Sequence, residues 1–141
     1  MNVNRRSIVR QLFWILACVP TLWLSGCGLS ESVATRYDAT GTVTYQGKPV
    51  PYGEIVFEPD SSKGNSGPAA RAEIKEGAYA TEKAKGVVAG ATRVRISGYD
   101  GKPAPGGGGT MPHGKSLFPE YIDSVDQPED VATHDFSIGG K

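Results

Sequence analysis

The sequence predicts an all-β fold, an antiparallel β-sandwich that follows an N-terminal signal peptide. Three observations favour this fold. Polar and apolar residues alternate in the stretch 40–59, TGTVTYQGKPVPYGEIVFEP, which is rich in β-branched and aromatic residues. Further short runs of the same kind follow, and segments rich in glycine and proline separate them. No segment after residue 27 has a convincing helical period, so the pattern favours a sheet over a helical or mixed fold.

The stretch 40–59 contains the first two predicted strands. Its apolar residues alternate with polar ones, so that one side of each strand is apolar. The residues expected on that buried side are Val43, Tyr45, Ile55 and Phe57. Val56 is expected on the opposite side, and the glycines and prolines of 47–53 predict a turn between the strands. Because two strands alone are marginally stable in water, the rest of the chain is expected to cover this apolar face.

The remaining strands are predicted from shorter runs of the same pattern. They are expected over 69–74, 78–82, 92–97 and 133–138. The residues of these strands that are expected to face the core are Tyr79, Val94, Ile96, Phe136 and Ile138.

Four other segments are predicted to lie outside the sheet. The polar residues 60–68 predict a mobile loop, and the valines at 87–88 are expected in a loop between two glycines. The run 98–115 is so rich in glycine and proline that no regular element is expected there. At 119–124 we expect one helical turn, because proline is favoured at the first position of a helix.

Residues 1–26 have the three parts of a signal peptide. Arginines at positions 5, 6 and 10 precede an apolar run over 12–24, and small residues follow that run. The apolar run is shorter than the roughly 20 residues that a membrane-spanning helix needs. The strongly apolar character of this run favours export by general secretion, although Arg5-Arg6 leaves the twin-arginine route open.

The four residues Leu24-Ser25-Gly26-Cys27 resemble the lipobox of bacterial lipoproteins. The resemblance implies that the chain is cleaved before Cys27 and that the Cys27 thiol carries a diacylglyceryl group, with fatty acids such as palmitate as the anchor. Gly28 resembles the sorting signal for the outer membrane, so the expected location is the cell envelope, lipid-anchored at that membrane. The alternative is an ordinary secretory peptide with an unrelated cysteine.

Cleavage at this position would divide the chain into a signal peptide (1–26), a polar tether (27–38) and one domain (39–141). The signal peptide contains three of the fifteen basic side chains and none of the fifteen acidic ones. The mature chain is therefore mildly acidic, which argues against nucleic acid as a partner. Of the two cysteines, Cys18 would be removed and Cys27 lipidated, so no disulfide is expected.

Several motifs together resemble a known family of domains. They are GTVTYQGKPVPYGEIVF at 41–57, Gly-Ala-Tyr at 77–79, and a glycine-bounded loop at 86–90 that leads into 93–96. In these motifs the sequence is similar to the carboxypeptidase regulatory-like group of Ig-like, transthyretin-like (prealbumin-like) β-sandwiches. LFPEY at 117–121 is similar to the tail of small bacterial envelope lipoproteins that carry this domain alone. The resemblance implies a sandwich of six to eight strands, and it supports the fold more than any activity because the motifs are structural.

The segment 109–116, GTMPHGKS, matches the G-x-x-x-x-G-K-S pattern of phosphate-binding loops. Such a loop needs a strand that leads in and a helix that leads out, because N–H groups at the helix N-terminus contact the phosphates. Here the glycine-rich run KPAPGGGG at 102–109 leads into the pattern in place of a strand, and Pro119 stops a helix from continuing after Ser116. We therefore predict no nucleotide site at 109–116.

The two histidines are the remaining candidates for chemistry. His113 and His134, together with Glu120, Asp123 or Asp135, could ligate a metal ion. Two histidines that lie 21 positions apart are more often unrelated loop and strand residues, so no metal site is predicted. The acidic residues between 123 and 135 lack the spacing of a calcium-binding loop and are expected on a solvated face.

The sequence as a whole predicts a non-catalytic binding or structural module that is anchored to the membrane through the lipid on Cys27. No catalytic residue is assigned, because no serine lies in a nucleophile-elbow sequence and no cysteine remains for thiol chemistry. The expected partner is an envelope protein or polysaccharide, and no nucleic acid, nucleotide or cofactor is expected. One alternative is a metal- or nucleotide-dependent envelope enzyme. Another is a ligand carrier, which is disfavoured because a small sandwich fills its interior with its own side chains.

Overall fold

A curled antiparallel sheet forms most of the computed structural model, which describes residues 34–106 and 109–140. The predicted signal peptide 1–26, Cys27 and most of the tether lie outside the described residues. Among the described residues, no helix is long and apolar enough to cross a membrane. The all-β, antiparallel character predicted from the sequence is confirmed, and the curled sheet is compatible with a β-sandwich.

The described residues contain thirteen strands and one short 3-10 helix, η1 (Ser61–Lys63). In chain order the strands are β1 (Arg36–Tyr37), β2 (Ala39–Tyr45), β3 (Lys48–Pro49), β4 (Tyr52–Pro59), β5 (Ala70–Lys75), β6 (Ala78–Ala80), β7 (Val87–Val88), β8 (Gly90–Tyr99), β9 (Ala104–Gly106), β10 (Gly109–Met111), β11 (Tyr121–Gln127), β12 (Ala132–Thr133) and β13 (Phe136–Ile138). Nine of them form the main sheet, in the order β11-β8-β4-β5-β6-β2-β12, with β3 and β13 also paired to β2. The count exceeds the six to eight strands expected because eight of the thirteen are only two or three residues long.

The inward face of β4 is the centre of the core. β4 pairs along its length with β5 on one side and β8 on the other, so Ile55 and Phe57 lie between both neighbours and have no exposed surface. All the other residues predicted to face the core, except Tyr45, belong to the same buried cluster, namely Val43, Tyr79, Val94, Ile96, Phe136 and Ile138. The period of two therefore identified the buried faces of β2, β4, β6, β8 and β13 correctly.

Tyr45 is only partly buried, contrary to the prediction. It is the last residue of β2, so its ring lies at the rim of the core, where it packs on Phe118 with ring centroids 5.1 Å apart. Phe118, which the sequence did not identify as a core residue, is buried against β8. Gly98 makes room for it, because a Cβ at that position would lie 2.6 Å from the ring of Phe118.

Val56 faces away from the core, as predicted, and yet only 5% of its surface is exposed. The register places Arg71 of β5 and Arg95 of β8 directly opposite it. Arg71 bonds to Glu54 at 3.1 Å and Arg95 to Glu58 at 3.5 Å. Because cross-strand neighbours on one face lie within contact distance, the aliphatic stems of these arginines account for the burial of Val56.

Two segments predicted to lie outside the sheet, the loop at 87–88 and the end of the tether, form paired strands. Val87 and Val88 are buried and pair, as β7, with Arg36 and Tyr37 at the end of the predicted tether. Gly86 permits this pairing, because a Cβ at that position would lie 2.1 Å from the carbonyl oxygen of Tyr37. The predicted tether therefore overlaps the first strand.

Residues 60–68, predicted as a mobile loop, contain η1 and are bonded to the rest of the sheet. Asp60 caps η1, since its carboxylate accepts the N–H of Ser62 at 3.1 Å. The side-chain amide of Asn65 donates to two carbonyl oxygens at the start of β8, at 3.1 and 2.9 Å. These bonds give the loop a defined path that its composition did not predict.

The predictions for 98–115 and 119–124 are both wrong. In the first segment β8 continues to Tyr99, and β9 and β10 form a small hairpin whose strands pair only with each other. In the second, residues 121–127 form β11, and all seven of them pair with the edge of β8. This long ladder outweighs the local helical preference of the residues after Pro119, as tertiary pairing often does.

The last predicted strand, 133–138, is divided into β12 and β13, which run parallel to β2 rather than antiparallel. The division lies at His134 and Asp135, where the chain approaches β2 most closely. A Cβ at Gly41 of β2 would lie 2.0 Å from the carbonyl oxygen of His134. Asp135 accepts hydrogen bonds from the N–H and the hydroxyl of Thr42 at 2.8 and 2.7 Å, so its side chain occupies the gap between the two short strands.

A hydrogen-bonded polar pair joins this terminal segment to β11. Gln127 is 2% exposed, its Oε1 lies 3.0 Å from Nε2 of His134, and its amide donates to the carbonyl of Asp130 at 3.1 Å. The hydroxyl of Tyr79 donates to the carbonyl of His134 at 2.7 Å. Burial lowers the pKa of His134, and the Asp135 carboxylate opposes that effect.

We expect Phe57→Ala to lower the free energy of unfolding by about 3–5 kcal/mol, because it removes a fully buried ring and leaves a cavity. Ile122→Ala on β11 is the control, since Ile122 is 58% exposed and a change of less than about 0.5 kcal/mol is expected. Urea unfolding measures both values. A loss below about 1 kcal/mol for Phe57→Ala would contradict this core arrangement.

We expect the free energy of unfolding to fall as the pH is lowered from about 7.5 to about 5.5. The unfolded chain takes up a proton on His134 near the ordinary pKa of about 6.5, whereas burial holds the folded pKa lower. Protons therefore favour the unfolded state in this range, and the stabilisation present above the ordinary pKa is lost as the pH falls. His134→Gln should make the dependence shallower in urea titrations at each pH, and an equally steep dependence would contradict the assignment.

Candidate functional site

A cleft of about 710 Å³ lies on the face of the sheet opposite the core. Outward-facing residues of β4, β5 and β8 form it, and the loop after β10 completes one side. The side chains that define this sheet-face cleft are Tyr52, Glu54, Arg71, Glu73, Lys75, Tyr99 and His113. β4 has a paired strand on both sides along its length, whereas β5 is paired with β4 throughout but with β6 only at Ile74 and Lys75.

Three aromatic rings form one wall of the sheet-face cleft. Tyr52 of β4 and Tyr99 of β8 are directly opposite each other in the register. His113 stacks on Tyr52, with ring centroids 3.7 Å apart and planes within 4°, and lies 6.4 Å from the tilted ring of Tyr99. The backbone N–H of Gly101 donates to the carbonyl of His113 at 3.0 Å, which folds the loop after β10 back onto the end of β8.

Two ion pairs lie beside this aromatic wall. The register places Glu54 of β4 opposite Glu73 of β5, an arrangement of like charges that is destabilising by itself. Two cations of β5 compensate for it, because Arg71 bonds to Glu54 at 3.1 Å and Lys75 bonds to Glu73. The four side chains are between 46% and 68% exposed, so these pairs contribute little to stability.

Glu73 also accepts a hydrogen bond from the hydroxyl of Tyr52. The bonds from Lys75 and Tyr52 hold the pKa of Glu73 below its ordinary value, and the bond to Glu73 raises the pKa of Tyr52. At neutral pH the carboxylate is therefore ionised and the phenol protonated, and neither group has a pKa suited to proton transfer. The cleft offers ring faces, donors and acceptors, which are the features of a binding surface.

The segment 109–116 does not have the frame of a phosphate-binding loop. Its first residues form β10 in the hairpin, and Ser116 bridges to the end of β8 before a strand, not a helix, follows. The N–H groups of Lys102 and Lys115 both donate to Oδ1 of Asp100 at 3.0 Å. These bonds lower the pKa of Asp100, so an ionised carboxylate already accepts the N–H group that a phosphate would need.

The structure does not bring the candidate metal ligands together. His113 lies in the sheet-face cleft, whereas His134 packs near Phe57 on the opposite face of β4, with ring centroids 6.2 Å apart. Glu120 pairs with an arginine of β8 at 3.4 Å, and Asp135 is bonded to a threonine of β2. Within residues 34–106 and 109–140, no group of three metal-binding side chains occurs.

Sequence reasoning did not find the sheet-face cleft. The outward charges Glu54, Arg71, Glu73 and Lys75 gave a signal, since they alternate with apolar residues and so predict a polar face. Which residues of that face meet depends on the strand register, which the sequence did not specify. Cys27, the residue with a predicted molecular role, lies outside the described residues, so its lipidation stays a prediction.

Comparisons with known proteins place the chain in no family. No family model and no solved structure matches it. The chain is 38% identical over 74 residues to acetaldehyde dehydrogenase 1 of Mycobacterium sp. strain KMS, and equally to the same protein of strain MCS. The alignment covers 52% of this chain but only 23% of either dehydrogenase, so the chain spans less than a quarter of the curated relatives that it matches.

We expect no saturable heat when the full-length protein is titrated calorimetrically with ATP and magnesium. The reason is that the N–H of Lys115 is bonded to Asp100 and that no helix N-terminus follows the segment. Lys115→Ala should behave as the wild type does in this titration. Saturable binding by the wild type that Lys115→Ala abolishes would overturn the prediction.

Proposed function

We propose that this protein is a membrane-anchored lipoprotein of the bacterial cell envelope whose β-sandwich acts as a non-catalytic binding module. In this proposal the domain is of the transthyretin-like, carboxypeptidase regulatory-like kind. The lipid on Cys27, with fatty acids such as palmitate, holds it at the membrane, and Gly28 directs it to the outer membrane. Its partner is an envelope protein or polysaccharide that contacts the sheet-face cleft.

One observation carries the binding role, namely the sheet-face cleft itself. Its aromatic rings and paired charges lie on strands of the main sheet and the loop after β10, and the four paired side chains are between 46% and 68% exposed. Exposed side chains that contribute little to stability can exchange their mutual bonds for bonds to a ligand. A rigid scaffold also reduces the ordering cost of binding, because the rings are already in place before the ligand arrives.

A catalytic role has less support. Glu73 and Tyr52 have pKa values displaced away from neutral pH, and Asp100 accepts the N–H of Lys115 within the segment that matches a nucleotide-binding loop. These features disfavour the alternative of a metal- or nucleotide-dependent envelope enzyme. The activity named for the two mycobacterial relatives does not enter the proposal, because the alignment covers only 23% of their length.

The proposed anchor sets how far the domain can lie from the membrane. One acyl chain binds a membrane only reversibly, whereas two or three hold a protein firmly. Because β1 begins at Arg36, the tether that remains is 28–35. Fully extended, those eight residues span at most about 26–29 Å, so the domain would stay close to the bilayer surface.

We expect Cys27→Ser to abolish labelling by a fatty-acid analogue and to move the protein from the membrane to the soluble or unprocessed fraction. Cys18→Ser is the matched control, because that cysteine lies within the predicted signal peptide and should leave labelling unchanged. The measurement is metabolic labelling in the bacterial host followed by membrane fractionation. Unchanged labelling of Cys27→Ser would rule out the anchor.

A further inference from the structure

We propose that the sheet-face cleft binds a neutral oligosaccharide, that is, a polysaccharide segment without charged sugars. This inference rests on the proposed function and names the chemical class of its ligand. Two properties of the cleft support it: the balance of its charges and the placement of its aromatic rings.

The backbone under the cleft is only partly paired. β4 is paired along its length with β5 and β8, whereas the ladder between β5 and β6 joins only Ile74 with Tyr79 and Lys75 with Ala78. Residues 70–73 of β5 therefore have no strand partner on the side of β6 among the described residues. Backbone donors and acceptors at this edge suit sugar hydroxyl groups, and a peptide that adds a strand would use the same edge, so capture of a protein is one outcome of the test.

The charges of the cleft are mixed and nearly balanced. Arg71 and Lys75 are each bonded to a carboxylate inside the cleft, and Glu82, the third carboxylate of its lining, pairs with Lys85 at 2.6 Å. Because both cations already have carboxylate partners, an anionic ligand would have to displace Glu54 and Glu73 and would then lie against their charges. Paired side chains instead present a donor next to an acceptor, which matches a sugar hydroxyl because a hydroxyl both donates and accepts.

The aromatic wall matches the apolar face of a sugar ring, as the paired charges match its hydroxyl groups. A pyranose ring has an apolar face of C–H groups, and aromatic faces carry the negative side of a quadrupole that attracts such positive edges. Tyr52 and Tyr99 are fixed on adjacent strands, and His113 is stacked on Tyr52 at 3.7 Å. Because His113 covers one face of Tyr52, the ring faces that remain for a sugar are those of His113 and Tyr99, and the ion pairs lie beside them.

Calorimetry on the full-length protein tests this proposal. The protein is kept in a polyoxyethylene detergent, because detergents with sugar headgroups would compete for the cleft. The probes are neutral hexasaccharides of glucose, mannose, galactose, xylose and N-acetylglucosamine, and an acidic hexasaccharide of galacturonic acid. We expect saturable binding of at least one neutral probe and none of the acidic one.

Variants of the cleft then locate the site. We expect His113→Ala and Tyr99→Ala each to weaken binding about tenfold, which corresponds to about 1.4 kcal/mol for a lost aromatic contact. His113→Phe keeps the stacked ring and should retain most of the affinity. Glu73→Gln should weaken binding, whereas Glu58→Gln, a matched change on the same sheet face outside the cleft lining, should not. Unfolding curves of each variant exclude loss of fold as the cause.

Two results would overturn the proposal: no saturable binding of any neutral probe, or binding that the cleft variants leave unchanged. Capture of crosslinked envelope components by the wild type and by His113→Ala separates this failure from failure of the proposed function. If the wild type captures a protein that His113→Ala does not, the saccharide is the wrong ligand class but the proposed binding role stands. If neither saccharide binding nor protein capture is changed by the cleft variants, the proposed binding role itself is wrong.

Discussion

The register of β4 with its neighbours β5 and β8 is the constraint on which the rest of the structure depends. Side chains alternate along a strand, so the register that buries Ile55 and Phe57 also places Tyr52 and Glu54 on the outer face. A slip of one residue would exchange the two faces, exposing the core residues and burying the charged ones. Burial of the inner face therefore determines the geometry of the sheet-face cleft on the outer one.

β2 is the second centre of the fold, because the end of the chain returns to it. It pairs with β6 and β3 on one side and with the parallel strands β12 and β13 on the other. Gly41 allows the close approach of His134, and Asp135 and Gln127 satisfy the polar groups at that junction. The described residues contain no cysteine, so packing and these hydrogen bonds, rather than a disulfide, hold the terminal segment.

The outer face of the sheet has two regions with different roles. Around Val56, two arginines flank a buried apolar residue, and each of them is paired with carboxylates of the same face. Around Glu73, the ion pairs are exposed and offset a like-charge contact that the register imposes. Charges of the second kind contribute little to folding, which is why that region is the one suited to a ligand.

The sequence by itself determined the properties that are local. Alternation over 40–59 and 92–97 was sufficient to identify the strands and their buried faces, and Leu24-Ser25-Gly26-Cys27 was sufficient to predict an anchor. Only the tertiary structure decided that residues 121–127 form a strand and that Tyr52, Glu73 and His113 meet in one cleft. Those features depend on pairing between strands far apart in the chain, and periodicity within a strand shows which face is buried but not which strand lies beside it.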